Sequence, residues 1–391
     1  MKLTLDEALV EKARTIAPEL RAHGGEGERD GKLPDASLKV LREAGFHRLF
    51  VPAAYGGLEV DPLTHARVQE EISAADSAAG WSLMISSSSS WWSSRVAPEG
   101  AKELFAEGPD FLAAVAFNPP ADARRVAGGY RLTGRRPFAS CARTARWMWL
   151  TGIVSDDSGT PDEPMEVIGA FFPASDARVI ETWDSMGMRG TDSNDIEVDD
   201  VFVPQARTFR LPPNTEAGPG FDGPLYRAPA MLTLAAYLPA VSLGVARGAV
   251  SELVSVAQDK TPFSSSAVLR ERAAAQAAVG EAEAILRSAR LFLYDTIAEA
   301  WERTAFGEPP TLEEKGDLLL ASAHAVQASA RVVAMIYDAA GTTGVYKRSP
   351  LERHFRDAQV LKQHGFVSAS RYATAGQILL GLEPDLGFVH F

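Results

Sequence analysis

The feature that most constrains the fold of this chain is a change of residue composition that occurs twice. Runs rich in β-branched and aromatic residues fill the middle of the chain, among them YRLTGRRPFAS, RWMWLTGIV and DIEVDDVFVP. Such runs, separated by turns such as Gly128-Gly129, predict β-strands. Alanine-rich stretches with helical spacing precede and follow them. The sequence therefore predicts an α+β fold in which a β domain, residues 116–215, lies between helical domains at residues 1–115 and 216–391.

Charge and cysteine content exclude several classes of function. The net charge is −12, and so acidic a chain disfavours nucleic acid and anionic membranes as partners. A single cysteine, Cys141, excludes an internal disulfide framework and agrees with a reducing, cytoplasmic location. Asp6 and Glu7 interrupt the N-terminal apolar residues, so we expect no signal peptide. The uncharged run 228–246 contains Pro239 and polar residues, which favours a buried helix over a membrane span.

Neither a metal site nor a nucleotide fingerprint is predicted. The histidines show no spacing typical of metal ligands. No phosphate-binding loop, dinucleotide fingerprint or serine–histidine–aspartate arrangement is visible in the sequence. A β domain between two helical ones instead predicts a cleft at a domain boundary, where ligands commonly bind.

A run of small residues in the first helical region ends in two tryptophans. Ser86 to Ser90 precede Trp91 and Trp92 directly. Small side chains let two backbones, or a backbone and a flat ligand, approach closely. Two interpretations therefore stay open, which are tight helix packing and the wall of a substrate pocket that includes Trp91 and Trp92.

The stretch PLERHFRDAQVLKQHG, residues 350–365, predicts one helix that begins at a proline. Arg353, Asp357 and His364 recur along it at three- to four-residue steps, together with Val360 or Leu361. Residues at that spacing form one stripe of a helix. The stripe ends on His364, which on pattern alone is more often a packed or capping residue than a catalytic one.

Several segments together resemble the acyl-CoA dehydrogenase fold. These segments are GGYRLTGRRPFAS, WDSMGMRGTDSNDIEVDDVFVP and ERHFRDA, and the resemblance covers nearly the whole chain. It implies a barrel-like middle β domain and a C-terminal four-helix bundle. Two chemistries use this fold, namely the flavin-dependent dehydrogenation of acyl-CoA thioesters and the oxygenation of substrates by the monooxygenases of two-component systems.

The end of the stretch 350–365 separates these two chemistries. Many dehydrogenases of this family carry a glutamate base a fixed distance after the RDA segment, and that position is Gly365 here. Some members keep the base on another helix, so the dehydrogenase remains an alternative. The LKQHG segment instead resembles aromatic-hydroxylating monooxygenases, which place a histidine here. His364 is therefore a candidate base or orienting donor for a phenol or indole.

The resemblance implies flavin contacts in the middle domain. Phe138 and Ser140 take the aromatic and hydroxyl places of a segment that lies against the flavin, where the hydroxyl can bind flavin N5. In a monooxygenase such contacts, and dry aromatic walls, preserve the C4a-hydroperoxide that forms with O2. Further predicted cofactor-binding residues are Arg189, Thr191 and Ser193, which a structural turn explains about equally well. Phe117 and Asn118 of the FNPP segment, which lacks the family's glycine–serine pair, are predicted to line the substrate pocket with Trp91, Trp92 and His364.

A second group of predicted flavin contacts implies an oligomer. Phe263 survives from a flavin-phosphate motif in which Lys260 replaces the usual arginine. Gln276 and the Gly341-Thr342-Thr343 loop match regions that, in this family, reach flavin bound mainly by a neighbouring subunit. We therefore expect a homo-oligomer, by resemblance a tetramer.

The sequence thus favours a monooxygenase that uses reduced flavin and O2 to hydroxylate a phenolic or indolic substrate. FAD is favoured over FMN, and a separate NAD(P)H-dependent flavin reductase is expected as partner. The alternatives are an acyl-CoA dehydrogenase or oxidase with a relocated base and a non-catalytic relative of the same fold.

Overall fold

Helices occupy both ends of the chain and strands its middle in the computed structural model, which describes residues 5–155, 166–211, 217–218, 220–263 and 265–390. The helices of the N-terminal part are α1 (Glu7–Asp30), α2 (Asp35–Glu43), α3 (Pro62–Ala75), α4 (Ser77–Ser93) and α5 (Pro98–Leu104). The strands are β1 (Ala113–Val126), β2 (Gly129–Ala139), β3 (Trp147–Ser155), β4 (Val167–Pro173), β5 (Arg178–Ile180), β6 (Asn194–Pro204) and β7 (Thr208–Leu211). The helices that follow are α6 (Pro224–Arg227), α7 (Ala230–Asp259), α8 (Ala273–Ala305), α9 (Leu312–Ala340), α10 (Pro350–Leu361) and α11 (Arg371–Leu379).

The strands form one mixed sheet that curls around its own small core. Their order is β5-β6-β2-β1-β3-β4-β7, and β1 and β3 are parallel while the other pairs are antiparallel. Leu132, Met148, Phe172 and Ile196, from four different strands, lie fully buried in one cluster. A flat sheet would hold such residues apart, so the middle domain is barrel-like, with β5 and β7 at the ends of the strand order.

A single extended residue separates α3 from α4. Asp76 has φ −151° and ψ 123°, and its carboxylate accepts a hydrogen bond from Ala79 N at 2.7 Å. Aspartate at this position satisfies an amide that the helix itself leaves unpaired. The break lets α4 run under the sheet, where Ser86 and Ser89 donate to the carbonyls of Phe111 and Ala113. The serine run is therefore a surface for close packing.

The C-terminal helices pack around α7, in which every residue from Ala230 to Ala246 is buried. Two helical segments, Ala230–Asp259 and Leu312–Val345, are long and apolar enough to cross a membrane by length and composition. Of their most apolar windows, 94% and 67% are buried within the protein, as in core helices. Glu70 of α3 also accepts hydrogen bonds from Arg290 and Tyr294 of α8. Removal of one partner of such a buried pair is costly, so this contact stabilises the packing of the N-terminal helices against the C-terminal ones.

The helix predicted over residues 350–365 is shorter than expected. It ends at Leu361, because the next amides bond three residues back, His364 N to Leu361 O and Gln363 N to Val360 O. The prediction that His364 continues the stripe of Arg353 and Asp357 was therefore wrong. His364 instead lies in the turn that follows α10, where its ring meets that of Trp81 in α4.

Candidate active site

A cavity of about 590 Å³ lies between the sheet, α4, α7 and the turn after α10. Ligand pockets usually fall in this range of volume. Aromatic and aliphatic side chains form most of its lining. Among the described residues that line it there is no Asp, Glu, Lys or Arg. The cavity therefore suits a flat, largely apolar ligand, and its chemistry depends on a few neutral polar groups.

One wall of the cavity is a chain of hydrogen-bonded hydroxyl groups. Trp81 Nε1 donates to Ser140 Oγ at 2.8 Å, and Ser140 Oγ lies 2.7 Å from Ser193 Oγ. Ser193 Oγ in turn lies 2.7 Å from Thr191 Oγ1, which donates to the carbonyl of Met188 at 2.7 Å. We call Trp81, Ser140, Ser193, Thr191 and the Met188 carbonyl the hydroxyl wall. It joins α4, the end of β2 and the turn before β6 in one network.

The backbone around the hydroxyl wall adopts conformations that are unusual for non-glycine residues. Phe138, Cys141, Met188 and Asp192 have φ of 64°, 63°, 54° and 53°. Such left-handed conformations cost free energy and persist only where the surroundings enforce them. Strain of this kind is concentrated at functional sites, so its presence on both sides of the hydroxyl wall agrees with a binding role.

Two buried carboxylates hold these strained turns. Asp192 accepts from Arg143 N and Arg143 Nε, each at 2.6 Å. Asp357 of α10 accepts from Met188 N at 2.6 Å and from Ser77 Oγ at 2.5 Å. Burial raises the pKa of Asp357 to about 6, although its two donors and Arg353 act in the opposite direction. Asp357 therefore fixes the Met188 turn to both α10 and α4.

His364 occupies another part of the cavity lining. Its ring meets those of Trp81 and Phe366 at centroid distances of 5.8 Å and 5.7 Å. Burial lowers the pKa of His364 to about 4, so the ring is neutral near pH 7. Phe366 N donates to His364 Nδ1 at 3.4 Å, which leaves the ring hydrogen on Nε2. In this tautomer His364 offers a hydrogen-bond donor.

Aromatic rings close the cavity around these polar groups. Trp92 packs against Phe117 and Trp149, with centroids 6.2 Å and 5.6 Å apart. Phe117 also meets Phe366 and Phe388, at 6.1 Å and 6.0 Å. A cluster of this size excludes water, which strengthens every electrostatic interaction inside the site.

The structure brings most of the predicted site residues to this one cavity. Those that line it are Phe138, Ser140, Thr191, Ser193, Trp92, Phe117, Asn118 and His364. Trp91 is not part of the lining, because it is buried behind Trp92 and donates to the carbonyl of Leu225. Arg189 also lies away from the lining and donates to Asp184. The serine run contributes Ser88 alone, so it serves both packing and the pocket.

The second group of predicted flavin contacts lies elsewhere on the chain. Phe263, Gln276 and the Gly341-Thr342-Thr343 loop do not line the cavity. Lys260 Nζ donates to the carbonyl of Ala340, so the remnant of the phosphate motif and the glycine–threonine loop meet in space. Phe263 is 99% exposed, an unusual state for a phenylalanine. This surface contributes nothing to the cavity within one chain.

Trp81 is the important residue that the sequence reasoning missed. Its N–H bonds Ser140 and its ring meets that of His364, so it touches both candidate catalytic residues. The only indication of this role in the sequence was that Trp81 lies in the same stretch of small residues as Trp92. Periodicity could not distinguish it from a core residue, because the whole of α4 is buried except for a part of Trp81 itself.

Comparison with known proteins agrees with the geometry. The N-terminal and C-terminal domain models of acyl-CoA dehydrogenase match residues 5–104 and 236–369. Indole-3-acetate monooxygenase of Pseudomonas putida is 34% identical over 98% of this chain and 95% of its own length. The oxygenase component of the FADH(2)-dependent resorcinol hydroxylase of Rhizobium sp. is 28% identical over 96% of this chain and 95% of its own. The structure of XiaF from Streptomyces sp. in complex with FADH2 and glycerol has a TM-score of 0.89 at 24% identity, with 97% and 96% of the two chains covered.

The chain therefore belongs to the acyl-CoA dehydrogenase family, and the predicted fold is confirmed. Within that family it is an oxidoreductase of the flavin-dependent monooxygenase branch, which uses reduced flavin. The predicted roles of individual residues remain predictions, and the cavity supplies the geometry on which to test them.

Proposed function

We propose that this protein hydroxylates an uncharged phenolic or indolic ring inside the cavity, with reduced flavin and O2 as co-substrates. One observation carries the proposal. In a cavity whose described lining has no charged side chain, Trp81 contacts both the hydroxyl wall and the ring of a neutral His364. The hydroxyl groups suit the polar part of a flavin, and the aromatic enclosure around His364 suits the substrate.

The residues present fit a flavin ring. Its isoalloxazine is a flat three-ring system with a polar pyrimidine end, and the cavity offers flat aromatic walls with hydroxyls clustered on one side. Ser140, Thr191 and Ser193 would meet the polar atoms of the ring. Phe138, which is 65% exposed, and Trp183 meet edge to face and would flank it. When bound, reduced flavin activates O2 for the transfer of one oxygen atom to the substrate.

His364 would orient the substrate. With its hydrogen on Nε2, the neutral ring would donate a hydrogen bond to an oxygen atom of a bound substrate, such as that of a phenol. A base at the same nitrogen would require the opposite tautomer, which the Phe366 amide disfavours. Of the two roles predicted from the sequence, the resting geometry favours the orienting donor.

A dehydrogenase mechanism lacks its base in this cavity. Removal of the α-proton of a thioester requires a carboxylate or a comparable base within hydrogen-bond reach. No aspartate or glutamate is among the described residues that line the cavity, and Gly365 lines it without a side chain. The buried Asp357 does not line the cavity, and it already accepts hydrogen bonds from Met188 N and Ser77 Oγ.

The preference for a neutral substrate follows from the same lining. Burial of an ionised carboxylate without a cationic partner is costly. The described lining has no lysine or arginine, and a neutral His364 supplies one dipole only. An indole or phenol without an acidic substituent therefore fits better than an aromatic acid.

Three further features belong to the same proposal. A separate NAD(P)H-dependent reductase would supply the reduced flavin, since the described residues show no dinucleotide fingerprint. FAD would be preferred over FMN, with its adenine side at the exposed surface around Phe263, Lys260 and the Gly341 loop of a neighbouring subunit.

The assembly would be a homotetramer in the cytoplasm, and exposed apolar residues such as Leu291 and Leu380 agree with subunit contacts.

The test supplies the protein with NADH, a flavin reductase, FAD, ¹⁸O2 and either indole or a simple phenol. We expect a hydroxylated product that carries one ¹⁸O atom and requires the reductase. Product without ¹⁸O, or bleaching of bound FAD by an acyl-CoA, would overturn the proposal. A parallel run with FMN and sedimentation analysis of the protein would test the preferred flavin and the tetramer.

A further inference from the structure

We propose that Thr191 sets the preference of the cavity for reduced over oxidised flavin, because it fixes the direction of the hydrogen bonds in the hydroxyl wall. The inference extends the proposed function and rests on it, because it assumes that the N5 side of the bound flavin ring faces Ser140. The preference depends on which atom donates in each hydrogen bond of the wall, and the groups at the two ends of the wall determine this.

The two ends of the chain of hydrogen bonds have only one possible polarity. At one end the indole Nε1 of Trp81 can only donate, and it donates to Ser140 Oγ at 2.8 Å. At the other end the carbonyl of Met188 can only accept, and Thr191 Oγ1 donates to it at 2.7 Å. The two contacts between them, each 2.7 Å, join hydroxyl groups that could donate either way if isolated.

Each hydroxyl group has one hydrogen, and this fixes both middle bonds. The hydrogen of Thr191 is directed at Met188, so the bond between Thr191 and Ser193 must use the hydrogen of Ser193. The bond between Ser193 and Ser140 must then use the hydrogen of Ser140. Ser140 is left with no hydrogen for the cavity. One of its two acceptor positions takes the N–H of Trp81, and no other donor among the described residues takes the second.

A free acceptor distinguishes the two redox states of flavin. Atom N5 carries a hydrogen in reduced flavin and only a lone pair in oxidised flavin. Reduced flavin can therefore donate to Ser140, whereas oxidised flavin would bring two lone pairs together. One unmade hydrogen bond in a buried site corresponds to an affinity difference of about tenfold or more.

Such selectivity would serve a protein that exchanges flavin with a separate reductase. Tight binding of the reduced form delivers the cofactor before O2 reacts with it in solution. Weak binding of the oxidised form releases it after turnover for the next reduction. The hydroxyl wall supplies this difference through hydrogen positions alone, without a change of backbone conformation.

The test compares Thr191→Val with Thr191→Ser. Valine has nearly the shape of threonine but no hydroxyl group, so the hydrogen of Ser193 loses its acceptor. Either Ser193 or Ser140 then has a hydrogen free for the cavity, which can donate to N5 of oxidised flavin. The Met188 carbonyl keeps Trp183 Nε1 at 2.9 Å and Thr191 N at 3.1 Å, so the turn stays hydrogen-bonded. Serine at position 191 keeps the hydroxyl and serves as the matched control.

The measurement is the dissociation constant of oxidised FAD in air and of reduced FAD under anaerobic conditions. We expect the wild type and Thr191→Ser to bind reduced FAD at least about tenfold more tightly than oxidised FAD. We expect Thr191→Val to bring the ratio close to one, mainly through tighter binding of oxidised FAD. A merely structural loss would weaken both states and leave the ratio unchanged.

The outcomes separate this inference from the proposed function. A ratio unchanged by Thr191→Val, or lowered equally by Thr191→Ser, would overturn the inference while ¹⁸O incorporation continued to support the monooxygenase. Failure of the wild type to bind FAD or FMN in either state would overturn both.

Discussion

The hydroxyl wall and the surroundings of His364 line the same cavity but are held in different ways. In the wall, Ser140, Ser193 and Thr191 each have partners at 2.7–2.8 Å, and buried carboxylates pin the strained turns beside them. A Cβ on Gly187 would lie 2.5 Å from the backbone of Arg356, so this turn is packed directly onto α10. The His364 ring accepts a hydrogen bond from Phe366 N at 3.4 Å, and its other contacts shown among the described residues are with the rings of Trp81 and Phe366.

This difference suggests that the two parts of the cavity bind different ligands. A network of short hydrogen bonds suits one ligand of constant shape, because any other geometry leaves donors and acceptors unpaired. Ring contacts are less directional and adapt to several flat ligands. The wall therefore suits the flavin, which every turnover requires, and the His364 side suits substrates that differ among related enzymes.

The largest expected effect comes from breaking the His364 side alone. His364→Ala should lower kcat/KM for hydroxylation by about 10²- to 10³-fold, the range typical for the loss of one preorganised hydrogen-bond donor. The dissociation constant of reduced FAD should stay within about twofold, because the hydroxyl wall is untouched. Gln363→Ala, at the adjacent lining position, is the control and should have a small effect. Equal activity of His364→Ala and wild type would remove His364 from the chemistry.

A change of substrate charge tests the same side without a mutation. Indole and indole-3-acetate differ by a carboxylate, for which the described lining offers no cation. We expect kcat/KM to favour indole by about tenfold or more, because the acid would be buried unpaired. Competition of the two compounds in one reaction measures the ratio directly. A preference for the acid would show that a positive group, from outside the described residues or from another subunit, reaches the cavity.

Trp81 connects the two sides, and two substitutions separate its contributions. Trp81→Phe removes the N–H that Ser140 accepts but keeps a ring beside His364, whereas Trp81→Leu removes both. For Trp81→Phe we expect a two- to tenfold rise in hydrogen peroxide released per product formed, roughly the effect of one hydrogen bond. Trp81→Leu should in addition lower hydroxylation. If both variants behave alike, the ring contact with His364 contributes nothing.

The smallest expected effect is that of pH. Because burial lowers the pKa of His364 to about 4, its neutral form predominates above that pH and is lost only as the pH falls through about 4. The titration of His364 should therefore change activity by less than about twofold between pH 5 and 6.5, where an ordinary histidine would titrate. A decline near pH 6 that disappears in Asp357→Asn would belong to Asp357, whose pKa is raised to about 6. A decline near pH 6.5 that persists in this variant would contradict the assignment of a neutral His364.

The sequence predicted the order of helical and β regions and several of the residues that line the cavity, for reasons that are local. Strand and helix periodicity are properties of neighbouring residues, and Ser140 and His364 belong to segments with a family resemblance. The hydroxyl wall was not predictable as a network, since Trp81, Ser140 and Ser193 meet only through the tertiary fold. The end of α10 at Leu361 was missed because nothing in LKQHG forbids another helical turn. Tertiary contacts of Gln327 with the carbonyls of Lys362 and Val367 favour the turn instead.

The absence of charged side chains from the described lining has a consequence for spectroscopy. The electric field on a bound chromophore would come from fixed dipoles, namely hydroxyl groups, the neutral imidazole and backbone carbonyls. Salt screens exposed charges but does little to buried dipoles. The absorption maximum of bound flavin should therefore hardly move with ionic strength. Substitution of a single hydroxyl group would change the electric field on the flavin, and this change should be visible as a shift of the absorption maximum.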